Sequence, residues 1–267
     1  MQKETDSANE DFWDEPCGES HFKSLGFNSL SQFDDWFFNE KYPYLETIIP
    51  FDSFNGKKVL EVGLGYGSVS EKIMQAGATF FGLDIAKGPV QLVKKRILEK
   101  GYSGEVIQGS VLECPWKDAT FDGVVSIGCL HHTGDLHKGI KELNRVLKPG
   151  GSCVIMVYNA FSYRQVLLSP AKTIRQFFLE KKRETIPRRG KDGERMLYDS
   201  NHRNESAPTT DFISSTGLKS MLSPLFSQIR IVKVNIGEDL IPPVFRKLPR
   251  KFKLNIFGPL LGLDLYA

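Results

Sequence analysis

The sequence predicts an α/β fold built on a doubly wound, mostly parallel sheet, and three observations carry that expectation. Apolar runs of strand length alternate with helical stretches of about ten to fifteen residues between residues 56 and 159. The runs are continuously apolar rather than alternating, as expected of strands covered on both faces. The first run ends in three glycines at alternate positions and passes straight into a helix, in VLEVGLGYGSVSEKI at 59–73.

The elements follow in order. KKVLEVG (57–63) reads as a buried strand, and SVSEKIMQAG as a helix stopped by Gly77, with Ser68 and Glu71 at capping-box spacing. TFFGLDIA (79–86) is a second strand. GPVQLVKKRILEKG (88–101) is a helix with Pro89 in its first turn, Val90, Val93 and Ile97 on one face, and Gly101 at its end. GEVIQGSV (104–111) and FDGVVSIGCL (121–130) are the third and fourth strands. Asp135 caps a helix that turns Leu136, Ile140, Leu143 and Leu147 inward. LKPGG (147–151) stops that helix, and SCVIMVYN (152–159) is the fifth strand. Beyond it the pattern predicts a helix in 160–182, a mobile basic excursion over 183–200, a loop at 201–212 leading into a helix that ends near Pro224, and strands at 227–237 and 263–267. Four regions result: an N-terminal helical lid at 1–55, a core at 56–159, a helical insertion or substrate cap at 160–226, and C-terminal strands at 227–267 completing the sheet.

Composition narrows the classes. A hydrophobic fraction of 40% and a charged fraction of 25% are those of an ordinary globular chain, and no apolar run approaches the roughly 20 residues of a membrane span. MQKETDSANEDFWDE is polar and acidic, the opposite of a signal peptide, which points to the cytoplasm. Cys17, Cys114, Cys129 and Cys153 form no CxxC pair, so neither a metal site nor a disulfide framework is expected. The net charge is +3, with basic clusters at 181–195 and 246–253 that a solvated loop and a solvated edge explain better, each taken alone, than nucleic acid, phosphate or a membrane surface does. The many aromatic residues of 1–55 must pack on the core or on a ligand cleft. The sequence stops at Ala267 inside an apolar run, as a shortened chain would. Nothing in it sets an oligomeric state.

A glycine-rich turn between a first strand and a helix lets a ligand approach bare main chain. Asp84, 21 residues beyond Gly63 at the end of the second strand, stands where an acid accepts from ribose hydroxyls. Together they indicate an adenosine-containing ligand. A dinucleotide turn would place glycine at position 68, which here is Ser68. Glu61-Val62-Gly63-Leu64-Gly65-Tyr66-Gly67 fits the acid-x-Gly-x-Gly-x-Gly spacing that goes with S-adenosylmethionine.

At this point the chain resembles the class I S-adenosylmethionine-dependent methyltransferases. LEVGLGYG, GLDIA, GSVLECPW, FDGVVSIGCLHHTGD and KELNRVLKPGG carry the resemblance in order over 56–159. The flanking segments FWDEPCGESHF, EKYPYLETI, VYNAFSYR and NESAPTT resemble an incompletely characterised branch of that superfamily. The resemblance implies a Rossmann-like methyltransferase sheet and S-adenosylmethionine as cofactor, with S-adenosylhomocysteine as product. It implies that Gly63 and Gly65, with Gly67 completing the turn, line the methionine moiety, and that Glu61 organises the turn. Asp84 would hold the ribose, Ile85 would lie against the adenine with Ser110 and Val111 at its edge, and Ser126 and Ile127 would face the reactive centre. Ser110 departs from the acid many relatives have there, and Glu113 is a possible substitute.

The cofactor brings the electrophile, so the protein must align an acceptor and needs a base only if the acceptor carries a proton to lose. His131 and His132 follow the fourth strand; each is a candidate base and each is also a candidate for shaping the loop. Tyr158, Asn159, His202, Glu205, Thr209 and Thr210 form a second candidate cluster on the acceptor side, with Tyr42 from the N-terminal region; Trp13 and Tyr44 are further lid candidates. Ser126-Ile127-Gly128-Cys129 stands where an amino-methylating enzyme has an Asn/Asp-Pro-Pro-aromatic tetrad, and the basic clusters carry almost no interleaved aromatics, which disfavours nucleic acid. The reading is methyl transfer to a small molecule, oxygen before nitrogen. An RNA methyltransferase and a catalytically silent binding module are the alternatives.

Overall fold

The computed structural model describes residues 2–14, 26–181, 187–201, 203–235, 258–259 and 262–267. Its sheet has seven strands in the order β3 (Gly104–Gln108), β2 (Thr79–Asp84), β1 (Lys58–Val62), β4 (Phe121–Ile127), β5 (Leu147–Tyr158), β9 (Asp264–Tyr266), β8 (Val232–Val234). The chain divides into two compact units, residues 1–154 with 191–210, and residues 155–190 with 211–267.

In the first unit, β1 (Lys58–Val62) pairs in parallel with β2 (Thr79–Asp84) and β4 (Phe121–Ile127), and β2 pairs in parallel with β3 (Gly104–Gln108). Helix α1 (Gln2–Asp14) comes first in the chain. It is followed by α2 (Leu30–Trp36), a π turn at Phe37–Lys41, the single turn α3 (Leu45–Ile48) and a 3-10 turn at Phe51–Phe54. Helices α4 (Ser68–Gln75), α5 (Lys87–Lys100) and α6 (Leu136–Val146) alternate with the strands. Val59, Leu60, Phe80, Leu83, Val124 and Val125 are buried on the sheet, and Ile73, Val93, Ile140 and Leu143 from the helices are buried with them. That explains the unbroken apolar runs, since strands covered on both faces have no water-facing side. The doubly wound sheet expected from the sequence is therefore present.

Three local expectations are corrected. Helix α4 is not opened by a capping box: its N-cap is Gly67, left-handed at φ 75°, with no side-chain cap bond. Ser68 instead donates to Asp34 at 2.6 Å, and Glu71 accepts from Lys100 at 2.6 Å and Tyr102 at 2.9 Å. LKPGG stops the helix as expected, but it is itself the start of the fifth strand rather than a turn before it. Helix α6 ends at Val146, and β5 (Leu147–Tyr158) begins at once, with the positive φ of Gly150 (78°) absorbed inside the strand. The third strand ends at Gln108, because Ser110 leaves extended pairing to cap a 3-10 turn at Val111–Glu113. The predicted cap at Asp135 holds: its carboxylate accepts from the Lys138 amide at 2.9 Å.

In the second unit, β5 residues Met156–Tyr158 pair antiparallel with β9 (Asp264–Tyr266), which pairs antiparallel with β8 (Val232–Val234). The helix expected in 160–182 is two helices, α7 (Tyr163–Leu168) and α8 (Pro170–Lys181), divided at Ser169 because Pro170 cannot continue the first. The short strands β6 (Arg188–Arg189) and β7 (Asp211–Phe212) pair with each other. Helix α9 (Asp192–Met196), in the first unit, forms part of the segment read from sequence as an excursion, and α10 (Ser215–Leu222) opens on Ser214, whose hydroxyl accepts from the Gly217 amide at 2.9 Å. The basic cluster at 246–253 lies outside the described residues.

Candidate active site

The turn after β1 is left-handed at each alternate glycine: Gly63 at φ 82°, Gly65 at 50° and Gly67 at 75°. Other residues rarely adopt that conformation. The three differ in what surrounds them. A Cβ on Gly63 would lie 2.4 Å from the Cys129 Cβ, and one on Gly67 would lie 2.8 Å from the Val93 side chain. A Cβ on Gly65 would meet nothing within 4 Å. The turn is closed on two sides and open at its centre.

Asp84 fixes this turn from the neighbouring strand. Its buried carboxylate accepts from the Leu64 amide at 2.7 Å and the Ala86 amide at 2.8 Å. Burial raises its pKa to about 6 against the pull of those amides, so it is ionised at neutral pH. Glu61 lies deeper. Ser70 of α4 donates to it, and desolvation lifts its pKa to about 8, leaving it neutral at pH 7. Asp84 is therefore the negative charge of the pair. Ile85 and Ser110 are half-buried, Val111 is buried, and Gln108 donates to the Ile85 carbonyl at 3.1 Å. Ser126 is completely buried and donates to the Val62 carbonyl at 3.0 Å, tying β4 to β1, while Ile127 is half-buried at the strand end.

A second network braces the turn from behind. Arg96 of α5 makes a two-pronged contact with Asp34 of α2, at 2.7 and 2.9 Å, and donates to the Tyr66 carbonyl at 3.0 Å. The Tyr66 ring packs on Phe33, with centroids 4.7 Å apart. Sequence reasoning missed this brace, because Asp34 and Arg96 lie 62 residues apart and neither sits in a motif.

The loop after β4 starts against the turn at Cys129 and makes a 3-10 turn at Leu130–His132. His131 and His132 are both buried, with ring centroids 4.1 Å apart. His132 Nδ1 lies 2.8 Å from the Thr209 carbonyl. A carbonyl only accepts, so Nδ1 carries the proton. Nε2 lies 3.5 Å from the Asp199 carboxylate. Thr209 donates to the His132 carbonyl, and the Thr210 hydroxyl stands 3.3 Å from Nδ1.

Helix α1 completes this half. Gln2 donates to the Thr133 carbonyl at 3.0 Å and Asn9 to the His132 carbonyl at 2.8 Å; Glu10 accepts from Gln108 at 2.8 Å and Asp14 from the Gly88 amide. The Trp13 ring lies 4.8 Å from that of His132. These partners follow β4, end β3 and follow β2, so α1 crosses the carboxyl ends of the strands, where open α/β sheets bind ligands. Asn9 and Asp199 gave no signal in the sequence.

The second candidate cluster is divided. Thr209 and Thr210 join His132. Glu205 is exposed, accepting from Asn201 at 2.8 Å and pairing with Arg203 at 3.3 Å. Tyr158, in the second unit, stacks on Phe212 with centroids 6.1 Å apart. Asn159 is completely buried there, donating to the Gly262 carbonyl at 2.8 Å and accepting from the Phe161 amide at 3.0 Å. Tyr42 and Tyr44 are half-buried in an aromatic group with Phe37. His202 lies outside the described residues. Among the described residues, no group of three or more His, Cys, Asp or Glu could hold a metal ion.

Residues 60–155 match the family model described as a methyltransferase domain. This segment is a class I S-adenosylmethionine-dependent methyltransferase domain. A ubiquinone biosynthesis O-methyltransferase of Escherichia coli O7:K1 is 36% identical over 105 residues, 39% of this chain and 44% of that relative. The chain thus spans less than half the length of the curated relatives it matches. Two solved structures share the fold. The YcgJ protein of Bacillus subtilis is 18% identical, covering 84% of this chain and 94% of that one, with a TM-score of 0.53. A methyltransferase from Methanosarcina mazei is 18% identical, covering 73% and 90%, with a TM-score of 0.51. No described helix is long and apolar enough to cross a membrane.

Proposed function

We propose that this chain transfers a methyl group from S-adenosylmethionine to a small-molecule acceptor, with oxygen as the first-choice atom and nitrogen as the second. The observation that carries the reading is the open centre of the glycine turn beside one buried, ionised carboxylate. When bound, the cofactor supplies an electrophilic methyl group on a cationic sulfur. The bare main chain at Gly63 and Gly65 admits the aminoacyl part, since no side chain fills the space over Gly65. Asp84 keeps its orientation through the Leu64 and Ala86 amides and has lone pairs left for ribose hydroxyls. Ile85, Val111 and Ser110 border the base, and Ile127 the reacting end. Neutral Glu61 adds no second negative charge beneath the turn.

His132 is the base in this reading. Donation from Nδ1 to the Thr209 carbonyl fixes the tautomer and leaves Nε2 to take the proton of an acceptor hydroxyl. The Asp199 carboxylate then faces the imidazolium that results. His131, its ring tilted against that of His132, shapes the loop. Because His132 is buried under Trp13 and Asn9, an acceptor reaches it only when α1 moves. Oxygen is placed first because such a base serves a hydroxyl, and because the relative named above, matched over 44% of its length, is an O-methyltransferase.

The test is incubation of the purified chain with methyl-labelled cofactor and a panel of phenols, catechols, hydroxy acids and amines, read by mass spectrometry. Label on an oxygen supports the reading and label on nitrogen alone moves the assignment to amines. Tight S-adenosylhomocysteine binding with no turnover across the panel overturns catalysis in favour of a binding module.

A further inference from the structure

Helices α7 and α8 carry their apolar side chains on the outside. Val166, Leu167, Leu168, Ile174, Phe177 and Phe178 are 41% to 61% exposed, and they are six of the nine large hydrophobic side chains exposed among the described residues. On α8, Ile174, Phe177 and Phe178 follow the i, i+3, i+4 spacing of one helix face. The inward positions of the same helix are polar. Thr173 and Gln176 are buried, and the Thr173 hydroxyl donates to the Gln165 carbonyl at 2.9 Å. A helix in water normally has the reverse arrangement.

The charge of this segment is equally one-sided. Residues 163–191 hold nine Lys and Arg against two Asp and Glu, whereas the rest of the chain holds 26 against 30. The stretch with the most exposed apolar surface therefore also carries the excess positive charge. Arg175 is exposed on α8 itself, with Lys172 half-buried three residues before it. A second copy of the chain would bring Arg175 and Lys172 up against a face of the same sign. An anionic lipid surface meets it with opposite charge and an apolar layer beneath. Helix α8 has 12 residues, too few to span a bilayer and enough to lie in its surface.

We propose that α7 and α8 form a docking face for an anionic membrane surface. Phe177, Phe178, Ile174 and Leu167 enter the acyl boundary, and Arg175 and Lys172 meet headgroup phosphates. The proposal is independent of the methyl-transfer reading.

The experiment is co-sedimentation of the full chain with large vesicles of phosphatidylcholine alone or mixed with phosphatidylglycerol. Partition onto the anionic vesicles should exceed that onto neutral ones by about tenfold at low salt. Phe177→Ser with Phe178→Ser should weaken it by about tenfold, and Arg175→Glu by about fivefold or more, with unfolding temperatures near that of the parent. No partition onto anionic vesicles overturns the proposal, and so does equal partition onto both kinds. Undiminished partition of the folded variants does the same. A concentration-dependent dimer in light scattering that the double serine variant abolishes would assign the face to a second copy instead.

Discussion

The glycine turn at 61–67 and the histidine loop at 129–134 lie side by side yet are held in opposite ways. The turn takes its shape from its own backbone and one carboxylate, with the Arg96–Asp34 pair only bracing it from behind: its conformation comes from three left-handed glycines, and Asp84 is on the adjacent strand. The loop is held by distant chain. Residues 2–14 bond its carbonyls, and residues 199–210 bond or face the His132 ring. In this reading the backbone of the cofactor half is shaped mainly by short-range sequence, while the acceptor half is assembled from pieces distant in the chain that can part. An enzyme that binds one cofactor and must admit and release another molecule benefits from that division.

Breaking the two halves separately sharpens the contrast. The largest effect is expected at the loop: His132→Gln should lower turnover by about 100-fold or more, with cofactor affinity within about twofold of the parent, in steady-state kinetics and calorimetry. If Asp84 holds the ribose as proposed, Asp84→Ala should weaken S-adenosylhomocysteine binding by roughly 100-fold, the loss of charge-assisted bonds to two hydroxyls. A smaller effect follows from pH. Asp84 gains a proton as pH falls through about 6, so affinity should drop about tenfold between pH 7 and pH 5 in the parent and not in Asp84→Asn. The smallest concerns stability. Glu61 keeps its proton in the folded chain up to about pH 8 but releases it near 4.5 when unfolded, so its contribution to stability is full below 4.5 and is lost as pH rises to 8. Glu61→Gln should remove that part of the slope in thermal unfolding measured from pH 5 to pH 8.

The same contrast explains what the sequence discloses. Gly63, Gly65 and Asp84 are legible because the chemistry of the turn is short-range: residue type, spacing and strand position suffice. The seven-strand sheet is legible for a similar reason, as burial on both faces leaves an apolar run. The capping box at Ser68 and Glu71 misleads because tertiary partners, Asp34 for one and Lys100 with Tyr102 for the other, outcompete the local bonds. The two histidines are indistinguishable in sequence. Partners far along the chain, the Thr209 carbonyl 77 residues on and the Asp199 carboxylate, single out His132. Asn159 looks like a polar group at a strand end, yet its amide is used on backbone at Phe161 and Gly262, a pairing that spacing does not reveal.

The central claim is that the open turn and Asp84 form one cofactor pocket whose affinity does not depend on the His132 side chain. Calorimetric titration of S-adenosylhomocysteine into the parent, Asp84→Ala and His132→Gln tests it most directly. The account predicts near-parental affinity for His132→Gln and a loss of about 100-fold for Asp84→Ala. Equal affinity in the parent and Asp84→Ala, with both proteins folded, would contradict it.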